Sequence, residues 1–341
     1  MSETTSAFFG PLNALFGINA KDLEDMLAEY RQGGSPSSKV KTPSKPERSA
    51  MEELMGLVGL TEAKRVLKQI ADYASIIQIR RAHGLNDEMP CLNMVFTGNP
   101  GTAKTTVARL TARIFKECGV LPMGELVEVG RGDLVGEYIG HTAPKVQAKF
   151  KEAKGSVLFI DEAYSLSDDR KNCFGDEAIN TIVQEMENHR EDTVVIFAGY
   201  REEMLEFLER NPGLKSRVPF HVDFPDYTPD ELWEIFRLKV KEKGRTITKK
   251  GEQRVREILE EAVQHPNFGN GRFARTLAEQ GILAQAGRLM KKDVSKLTTQ
   301  ELNALTEADF RVESLLPPEK DATRRQIGFS LPETETARKT K

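Results

Sequence analysis

The chain has 341 residues, of which 39% are hydrophobic and 30% are charged, and its formal net charge is −3. This length is sufficient for two domains with hydrophobic cores, and the composition is that of an ordinary globular protein. No apolar run approaches the roughly 20 residues that span a bilayer, so we expect no membrane association. The small net charge gives no electrostatic indication of nucleic-acid binding, and we expect none.

The cysteines and the N-terminus both favour a cytoplasmic protein. Cys91, Cys118 and Cys173 are odd in number and far apart, which argues against a disulfide framework or a zinc site and favours a reducing compartment. Residues 1 to 17 contain neither a basic region nor a small-residue cleavage site, so we expect no secretory signal.

Two segments precede the first long helical pattern. Residues 1 to 32 form an N-terminal segment, in which residues 20 to 31 are predicted to form a short amphipathic helix. Such a helix can bind a partner or pack against its own protein, and the sequence leaves both open. Residues 33 to 50 are rich in Gly, Ser, Pro and Lys and are predicted to form a flexible linker.

The first domain is predicted to cover residues 51 to 228, and it begins with helical periodicity over residues 51 to 81. A break in this pattern contains the turn Leu57-Val58-Gly59. An apolar turn with accessible backbone next to a helix suits an adenine ring, which is recognised by shape and main-chain hydrogen bonds. We therefore predict that Val58 and Gly59 contact the base of a nucleotide.

The loop GNPGTAKTT at residues 98 to 106 follows a predicted strand, residues 92 to 97, and precedes a predicted helix, residues 107 to 117. Successive N–H groups of a glycine-rich turn and the positive end of a helix form a concave site for a polyphosphate. In such a loop the lysine contacts the terminal phosphates and the next hydroxyl contacts Mg²⁺. The residues predicted to bind the nucleotide here are Asn99, Pro100, Gly101, Thr102, Ala103, Lys104, Thr105 and Thr106.

Ala103 occupies a position where the usual pattern of this loop has glycine. We expect Ala103 to lie in the first turn of the helix, where φ is negative and a methyl group is tolerated. The substitution can still lower the affinity for nucleotide.

Four further β-type runs alternate with helical patterns, at residues 125 to 129, 156 to 160, 193 to 198 and 220 to 224. Together with the strand before the phosphate loop, they predict a five-stranded, mostly parallel sheet with helices on both faces. In sheets of this kind, ligands bind at the carboxyl ends of the strands. The residues that follow each strand are therefore candidates for the site.

Two adjacent carboxylates, Asp161 and Glu162, follow the apolar strand of residues 156 to 160. In an enzyme with a phosphate loop, the aspartate at this point holds Mg²⁺ through its water shell, and the following glutamate polarises the attacking water. We predict these roles for Asp161 and Glu162, with Thr105 as the other protein ligand of the metal.

An aromatic and an aliphatic residue, Tyr138 and Ile139, stand between two glycines in residues 133 to 142. The glycines free the backbone, and the composition is unusual for a buried element. One interpretation is a mobile loop that presents both side chains outward. The other is that Tyr138 caps the predicted helix of residues 143 to 153 against the core. The sequence leaves both open.

The rest of the chain predicts a small helical domain at residues 229 to 313 and a disordered tail at residues 314 to 341. Thr228 followed by Pro229 is typical of a helix start. The helical patterns of this domain cover residues 230 to 243, 249 to 264, 272 to 292 and 307 to 313.

Two arginines outside the phosphate loop are candidates for contacts with a nucleotide. Arg217 lies in a polar turn before the last strand, where its guanidinium can neutralise charge on a transferring phosphoryl group. Arg272 lies at a predicted helix start, from which it can reach the nucleotide across the boundary between the two domains.

Six segments, in this order along the chain, resemble one subgroup of the AAA+ ATPases: FTGNPGTAKTTVAR, LVGEYIGHTAPK, LFIDEAYSL, AGYREEM, NPGLKSR and FPDY. That subgroup contains the red-type Rubisco activases and stage V sporulation protein K, and the resemblance covers about residues 51 to 313. It implies an α/β fold: a P-loop AAA+ large domain with a parallel five-stranded sheet, followed by a small all-helical lid domain.

The resemblance also implies a site for ATP and Mg²⁺. Lys104 and Thr105 match the Walker A motif, and Asp161 and Glu162 match the Walker B motif. The resemblance therefore implies an enzyme that hydrolyses ATP to ADP and phosphate.

Further roles follow from the resemblance alone. Arg217 matches the arginine finger, which acts on the neighbouring subunit, and Arg272 matches sensor 2. Tyr138 and Ile139 match the pore loop that grips a threaded polypeptide. Tyr200 stands where many AAA+ proteins carry a polar sensor 1 residue, and its hydroxyl is expected to take that role.

We therefore expect a cytoplasmic homo-oligomer, a hexamer by resemblance, that couples ATP hydrolysis to remodelling or threading of a protein client. Rubisco is one candidate client, but spore formers without Rubisco carry similar proteins, so the client stays open. The alternative is a nucleotide-dependent switch or scaffold, which would not need an aromatic pore residue. A DNA-remodelling role is disfavoured because the chain has no recognisable basic module after the lid.

Overall fold

A computed structural model describes residues 48 to 85, 88 to 167, 174 to 265, 268 to 293 and 297 to 310. The predicted N-terminal helix, most of the predicted linker, Cys173 and the predicted tail lie outside the described residues. The chain divides into two units, residues 1 to 56 and 57 to 341. The described part of the first unit contains one short helix, α1 (Ala50–Met55), whose N-terminus is closed by reciprocal hydrogen bonds between Ser49 and Glu52.

The second unit contains five parallel strands. They are β1 (Met94–Gly98), β2 (Leu126–Val129), β3 (Val157–Ile160), β4 (Val194–Gly199) and β5 (Phe220–Phe224). They form one sheet in the order β2-β3-β4-β1-β5. The predicted parallel five-stranded sheet is confirmed. Because β1 lies between β4 and β5, the loop that follows β1 is at the carboxyl edge of the sheet, one strand in from the end strand β5.

Helices cover both faces of this sheet. They are α2 (Thr61–Ala82), α3 (Lys104–Glu117), α4 (Arg131–Leu134), α5 (Thr142–Glu152), α6 (Phe174–Asn188), α7 (Arg201–Arg210) and α8 (Pro212–Lys215). Alternate strand residues such as Val95, Leu158 and Phe197 pack with α5, α6 and α7 in one buried cluster. On the other face α2 and α3 contact each other and the strands.

A helical domain follows β5. Its helices are α9 (Pro229–Glu242), α10 (Lys249–Ala262), α11 (Asn270–Leu289) and α12 (Thr299–Asn303). Thr228 caps α9 with Pro229 in the first turn, as predicted. The predicted helical lid is confirmed, and the structure adds a pair of two-residue parallel strands, β6 (Thr246–Ile247) and β7 (Ala304–Leu305).

The helix predicted at residues 307 to 313 is wrong over its described part. The chain makes a single 3₁₀ turn, Glu307–Asp309, and Phe310 is extended. The Asp309 carboxylate accepts bonds from the Thr306 N–H at 2.8 Å and from the Arg288 guanidinium at 2.7 Å, while the buried Phe310 ring lies 5.7 Å from the Phe236 ring. These tertiary contacts stabilise the non-helical backbone, so the helix does not form here. Within the described ranges, no helix is long and apolar enough to cross a membrane.

Candidate nucleotide-binding site

The phosphate loop at residues 98 to 104 folds around its own lysine. The Lys104 ammonium donates to the carbonyl oxygens of Gly98, at 2.8 Å, and Asn99, at 3.0 Å. The buried Thr102 hydroxyl donates to the same Asn99 carbonyl at 2.8 Å. Gly98 has a φ of +154°, and a Cβ there would overlap the Phe224 carbonyl at the end of β5. The loop conformation is therefore fixed by its own bonds and by the neighbouring strand.

Ala103 does not have the expected backbone conformation. It precedes α3 as the N-cap residue with a φ of +73°, in the left-handed region, whereas we expected a negative φ in the first helical turn. The loop needs a left-handed residue here to turn into the helix. The left-handed region costs an L-residue with a Cβ roughly 1–2 kcal/mol. The backbone at Ala103 is therefore strained, and the methyl group is not simply tolerated.

The Lys104 ammonium lies within electrostatic reach of four other groups of the site. Burial lowers its pKa, and the nearby charges of Asp161 and Glu162 oppose this shift. The positive charge of Arg272 lowers the pKa further, and the negative charge of Asp226 raises it. These charge interactions indicate that the predicted lysine, the two predicted carboxylates and the predicted lid arginine lie near one another.

Asp161 and Glu162 follow β3 at the same edge of the sheet. The Asp161 N–H donates to the Val129 carbonyl at 2.9 Å, which ties this turn to the end of β2. The exposed Glu162 has a φ of +48°, and its N–H donates to Asp161 Oδ1 at 3.0 Å. A non-glycine residue held in the left-handed region is often part of a functional site.

Tyr200, the predicted sensor 1 residue, directly follows β4 and caps α7. Its ring lies 5.8 Å from the ring of Tyr164. Burial raises the pKa of Tyr164 to about 12, and the charge of Glu162 adds to this shift. Because β4 lies between β3 and β1, Tyr200 is on the strand end between the acid pair and the phosphate loop. Its role as sensor 1 stays a prediction.

The lid contacts the phosphate loop directly, through residues that the sequence analysis did not identify. The Gly271 N–H donates to the Gly101 carbonyl at 3.1 Å. The buried Asn270, with a φ of +51°, donates to Asp226 Oδ1 at 2.7 Å and accepts from the Tyr227 N–H at 2.9 Å. Asp226 in turn accepts from Asn99 Nδ2 at 2.9 Å. The signal in the sequence was the run Gly-Asn-Gly at residues 269 to 271, directly before Arg272. The sequence analysis assigned a role only to the arginine.

The apolar turn predicted to contact adenine lies against the start of the lid. Gly59 has a φ of +63°, and a Cβ there would be 2.5 Å from Glu231 Oε1 and 3.3 Å from the Tyr227 ring. Burial raises the pKa of Tyr227 to about 12, with a smaller contribution from Glu231. Val58 is partly buried in the same turn. Contact with a base stays a prediction for both Val58 and Gly59.

The residues at this edge fit a nucleotide with a divalent cation. Helix α3 has neither a side-chain hydrogen bond at its N-cap nor an acidic residue in its first turn, so its first N–H groups are directed at a place suited to an anion. Thr105 and Asp161 supply the oxygen donors that Mg²⁺ prefers. Among the described residues, no group of three or more His, Cys, Asp or Glu side chains can hold a metal alone, so the cation would need the phosphate oxygens as well.

Arg217 lies at the opposite edge of the sheet, before β5 begins. Its guanidinium donates to the Gly213 carbonyl and to Glu187 Oε2, each at 3.2 Å, and is 35% exposed. Its carbonyl accepts from side chains at the start of β1. The structure therefore does not bring Arg217 to the phosphate loop of its own chain.

Tyr138 and Ile139 are 66% and 88% exposed. The Tyr138 ring contacts only the edge of the His141 ring, at 5.6 Å, among the ring contacts of the described residues. His141 is the N-cap of α5. The alternative in which Tyr138 packs against the core is therefore wrong, and the predicted outward loop has the required exposure.

The fold and the site together define a P-loop nucleoside triphosphatase with a helical lid. The model of the family described as "ATPase family associated with various cellular activities (AAA)" matches residues 94–226. The model described as "AAA lid domain" matches residues 228–320. The domain boundaries at residues 50, 228 and 313 stay predictions, since these matches describe families rather than the folding units of this chain.

Several known proteins are similar over most of the chain. Stage V sporulation protein K of Bacillus subtilis is 42% identical over 266 residues, which is 75% of this chain and 83% of that protein. The chloroplastic ribulose bisphosphate carboxylase/oxygenase activase of Cyanidioschyzon merolae is 43% identical over 255 residues, 74% of this chain and 87% of that protein. Protein CbbX of Cereibacter sphaeroides is 39% identical over 303 residues, 88% of this chain and 94% of that protein.

A solved structure agrees in fold. The FIGL-1 AAA domain in complex with ADP superposes with a TM-score of 0.54 at 19% identity, covering 78% of this chain and 85% of that one. With the family models and the relatives, this places the protein in its family: the chain belongs to the AAA ATPases, in the group that contains stage V sporulation protein K and CbbX. It is a nucleotide-binding, ATP-hydrolysing enzyme, as predicted.

Proposed function

We propose that the chain forms a homo-oligomer, expected to be a hexamer, that uses ATP hydrolysis to remodel or thread a protein client. The observation that supports this best is the separation of Arg217 from its own phosphate loop. Arg217 precedes β5 and the loop follows β1, and these strands run parallel side by side. A five-residue strand spans about 16 Å, which is too far for an arginine side chain to cross. Arg217 can then act only on a neighbouring subunit.

We assign each chemical role to a residue or group of the site. Lys104 and the N–H groups at the start of α3 bind the phosphates. Thr105 and Asp161 would hold Mg²⁺, which would neutralise part of the phosphate charge. Glu162 accepts a hydrogen bond from the attacking water and orients it. Arg217 of the neighbouring subunit stabilises the charge that develops on the transferring phosphoryl group.

The lid and the sheet supply the remaining contacts of the proposed site. Arg272 reaches the phosphates from the lid, in keeping with its charge interaction with Lys104. Tyr200 offers a hydroxyl between the acid pair and the phosphate loop. Val58 and Gly59 contact the adenine ring. Because Gly271, next to Arg272, donates to the Gly101 carbonyl of the phosphate loop, hydrolysis can change the position of the lid.

The exposed side chains of Tyr138 and Ile139 are the proposed point of contact with the client. Two adjacent large apolar side chains that are this exposed on one loop are available for contact with a partner. The names of the relatives refer to sporulation in one case and to ribulose bisphosphate carboxylase/oxygenase in another. We therefore propose a protein client, with Rubisco as one candidate.

Two measurements test this function. ATPase activity per subunit should rise with protein concentration and reach a plateau where light scattering shows an oligomer. Constant activity from a monomer would contradict the proposal. Glu162→Gln protein held on ATP should retain a client in a pull-down, and the matched double variant Glu162→Gln/Tyr138→Ala should not. A switch or scaffold would retain its partner equally in both.

A further inference from the structure

The main chain of Arg217 is held by side chains that the proposed chemistry does not use. The Arg217 carbonyl accepts hydrogen bonds from Asn93 Nδ2 and from Cys91 Sγ, both at 3.2 Å. Asn93 is 6% exposed. Its other amide atom, Oδ1, accepts from the Val195 N–H at 2.8 Å. Both ends of this one side chain are therefore bonded to the backbone of other segments.

The position of Asn93 explains why a side chain is needed there. Asn93 immediately precedes β1, and the ladders of β1 with β4 and β5 begin one residue later, at Met94. The Val195 N–H and the Arg217 carbonyl lie outside those pairs. Buried backbone groups of this kind need a partner, and the Asn93 amide supplies one donor and one acceptor. The segment before β5 is thereby attached to two strands of the sheet.

The side chain of Arg217 has weaker restraints than its main chain. Its ion pair with Glu187 joins groups that are 35% and 56% exposed, and exposed ion pairs of this kind restrain a side chain little. The place from which the guanidinium extends consequently depends on the Arg217 main chain. Its carbonyl accepts from Asn93 and Cys91, and its N–H donates to the Leu214 carbonyl at 2.9 Å. A shift of the Arg217 carbonyl would therefore move the guanidinium relative to a neighbouring subunit.

We infer that Asn93 is a positioning residue for ATP hydrolysis: it holds the Arg217 main chain so that the guanidinium reaches the nucleotide site of the neighbouring subunit. This inference rests on the proposed action of Arg217 between subunits. Asn93 does not contact the nucleotide. A defect at Asn93 should therefore appear in the site of the next subunit, while the site of the altered chain itself stays competent.

Asn93→Asp is the selective variant, because it keeps the oxygen that accepts from Val195 and replaces the donor to Arg217 by a second oxygen. A misplacement of about 1 Å can cost about 10²-fold in rate, so ATPase turnover should fall by about that factor. The dissociation constant for ATP should stay within about threefold, because the phosphate loop is untouched. Asn93→Ala serves as a second variant if the aspartate does not fold.

Mixed oligomers provide the decisive readout. Glu162→Gln subunits have an intact arginine but cannot activate water, whereas Asn93→Asp subunits keep their own Glu162. Mixing the two should restore activity well above the sum of the separate preparations. The core variant Ile258→Val, which is buried within α10 of the lid, should give only the sum when mixed in the same way. No gain with Asn93→Asp or Asn93→Ala would overturn the inference.

A control separates failure of this inference from failure of the proposed function. Arg217→Ala mixed with Glu162→Gln should also regain activity if the arginine acts between subunits. If this control regains activity and the Asn93 variants do not, Arg217 works between subunits and Asn93 does not position it. If the control itself shows no gain, the proposed role of Arg217 is wrong and the inference fails with it.

Discussion

The phosphate loop and the Tyr138 loop, residues 136 to 141, both contain a glycine with nearly the same positive φ. Gly101 has a φ of +79° and Gly140 has a φ of +81°. A Cβ on Gly101 would overlap the carbonyl oxygen of Gly269 in the lid, whereas a Cβ on Gly140 would have no described heavy atom within 4 Å. One glycine permits a close approach of two segments, and the other only permits a turn.

This difference indicates what each loop is built to do. The phosphate loop is held by its own lysine and by the lid, so a ligand there is sensed by several segments at once. The Tyr138 loop is attached mainly at its base, where the Gly136 N–H donates to the buried Thr142 hydroxyl at 3.1 Å. Its apolar side chains extend outward. The phosphate loop suits nucleotide binding that also affects the lid, and the Tyr138 loop suits contact with another protein.

The largest expected effect concerns Arg217, which does not reach the phosphate loop of its own chain. Arg217→Ala should lower ATPase turnover by about 10³–10⁵-fold, the usual contribution of an arginine finger. The dissociation constant for ATP, measured by titration with a fluorescent analogue, should change by no more than a few fold. Near-normal turnover in this variant would remove Arg217 from the mechanism.

The paired variants Gly101→Ala and Gly140→Ala compare the two loops directly. Both place a side chain at a positive φ, which costs roughly 1–2 kcal/mol in each case. Only Gly101→Ala also forces a methyl group against the lid backbone, and such overpacking costs about 1–3 kcal/mol more. Urea denaturation should show the larger loss for Gly101→Ala, and only that variant should weaken ATP binding. Equal losses would mean that the lid moves away from the loop at little cost.

Tyr138→Ala should abolish remodelling of the client without affecting folding or ATP hydrolysis. Because the side chain is 66% exposed, the free energy of unfolding should change by no more than about 0.5 kcal/mol. Basal ATPase activity should be close to that of the parent, while remodelling of the client is lost.

Melting temperature, basal ATPase activity and client remodelling are all measured on this one variant. A buried aromatic would instead lose about 3–5 kcal/mol on truncation. A destabilised Tyr138→Ala protein that still remodels its client would contradict the assignment of this loop.

Much of the fold and of the site could be predicted from local sequence patterns. A strand, a glycine-rich loop and a helix in order located Lys104 and Thr105, and an apolar run ending in two acids located Asp161 and Glu162. These patterns are short-range, and the parallel order of strands follows from alternation with helices. Lys104 and both acids are near enough for their charges to interact, and their chemical roles stay predictions.

What the sequence did not reveal depends on contacts between distant segments. The bond of Asn270 to Asp226 joins residues 44 positions apart, and that of Asn93 to Arg217 joins residues 124 apart. No periodicity marks an asparagine as a bridge rather than as a turn residue. The error over the conformation of Ala103 has a related cause, because the loop around Lys104, not the intrinsic preference of alanine, sets that φ.

The smallest expected effect tests that correction. Ala103→Gly should raise the free energy of unfolding by up to about 1 kcal/mol, because glycine adopts the observed φ of +73° without the steric penalty of a Cβ. ATP affinity and turnover should stay the same or rise. Ala148→Gly is the matched control, since Ala148 lies exposed within α5, where glycine costs about 0.5–1 kcal/mol. The two substitutions should therefore change stability in opposite directions in the same urea titration. If Ala103→Gly destabilises the protein as Ala148→Gly does, Ala103 has a helical φ in solution and the phosphate loop enters α3 by a different turn.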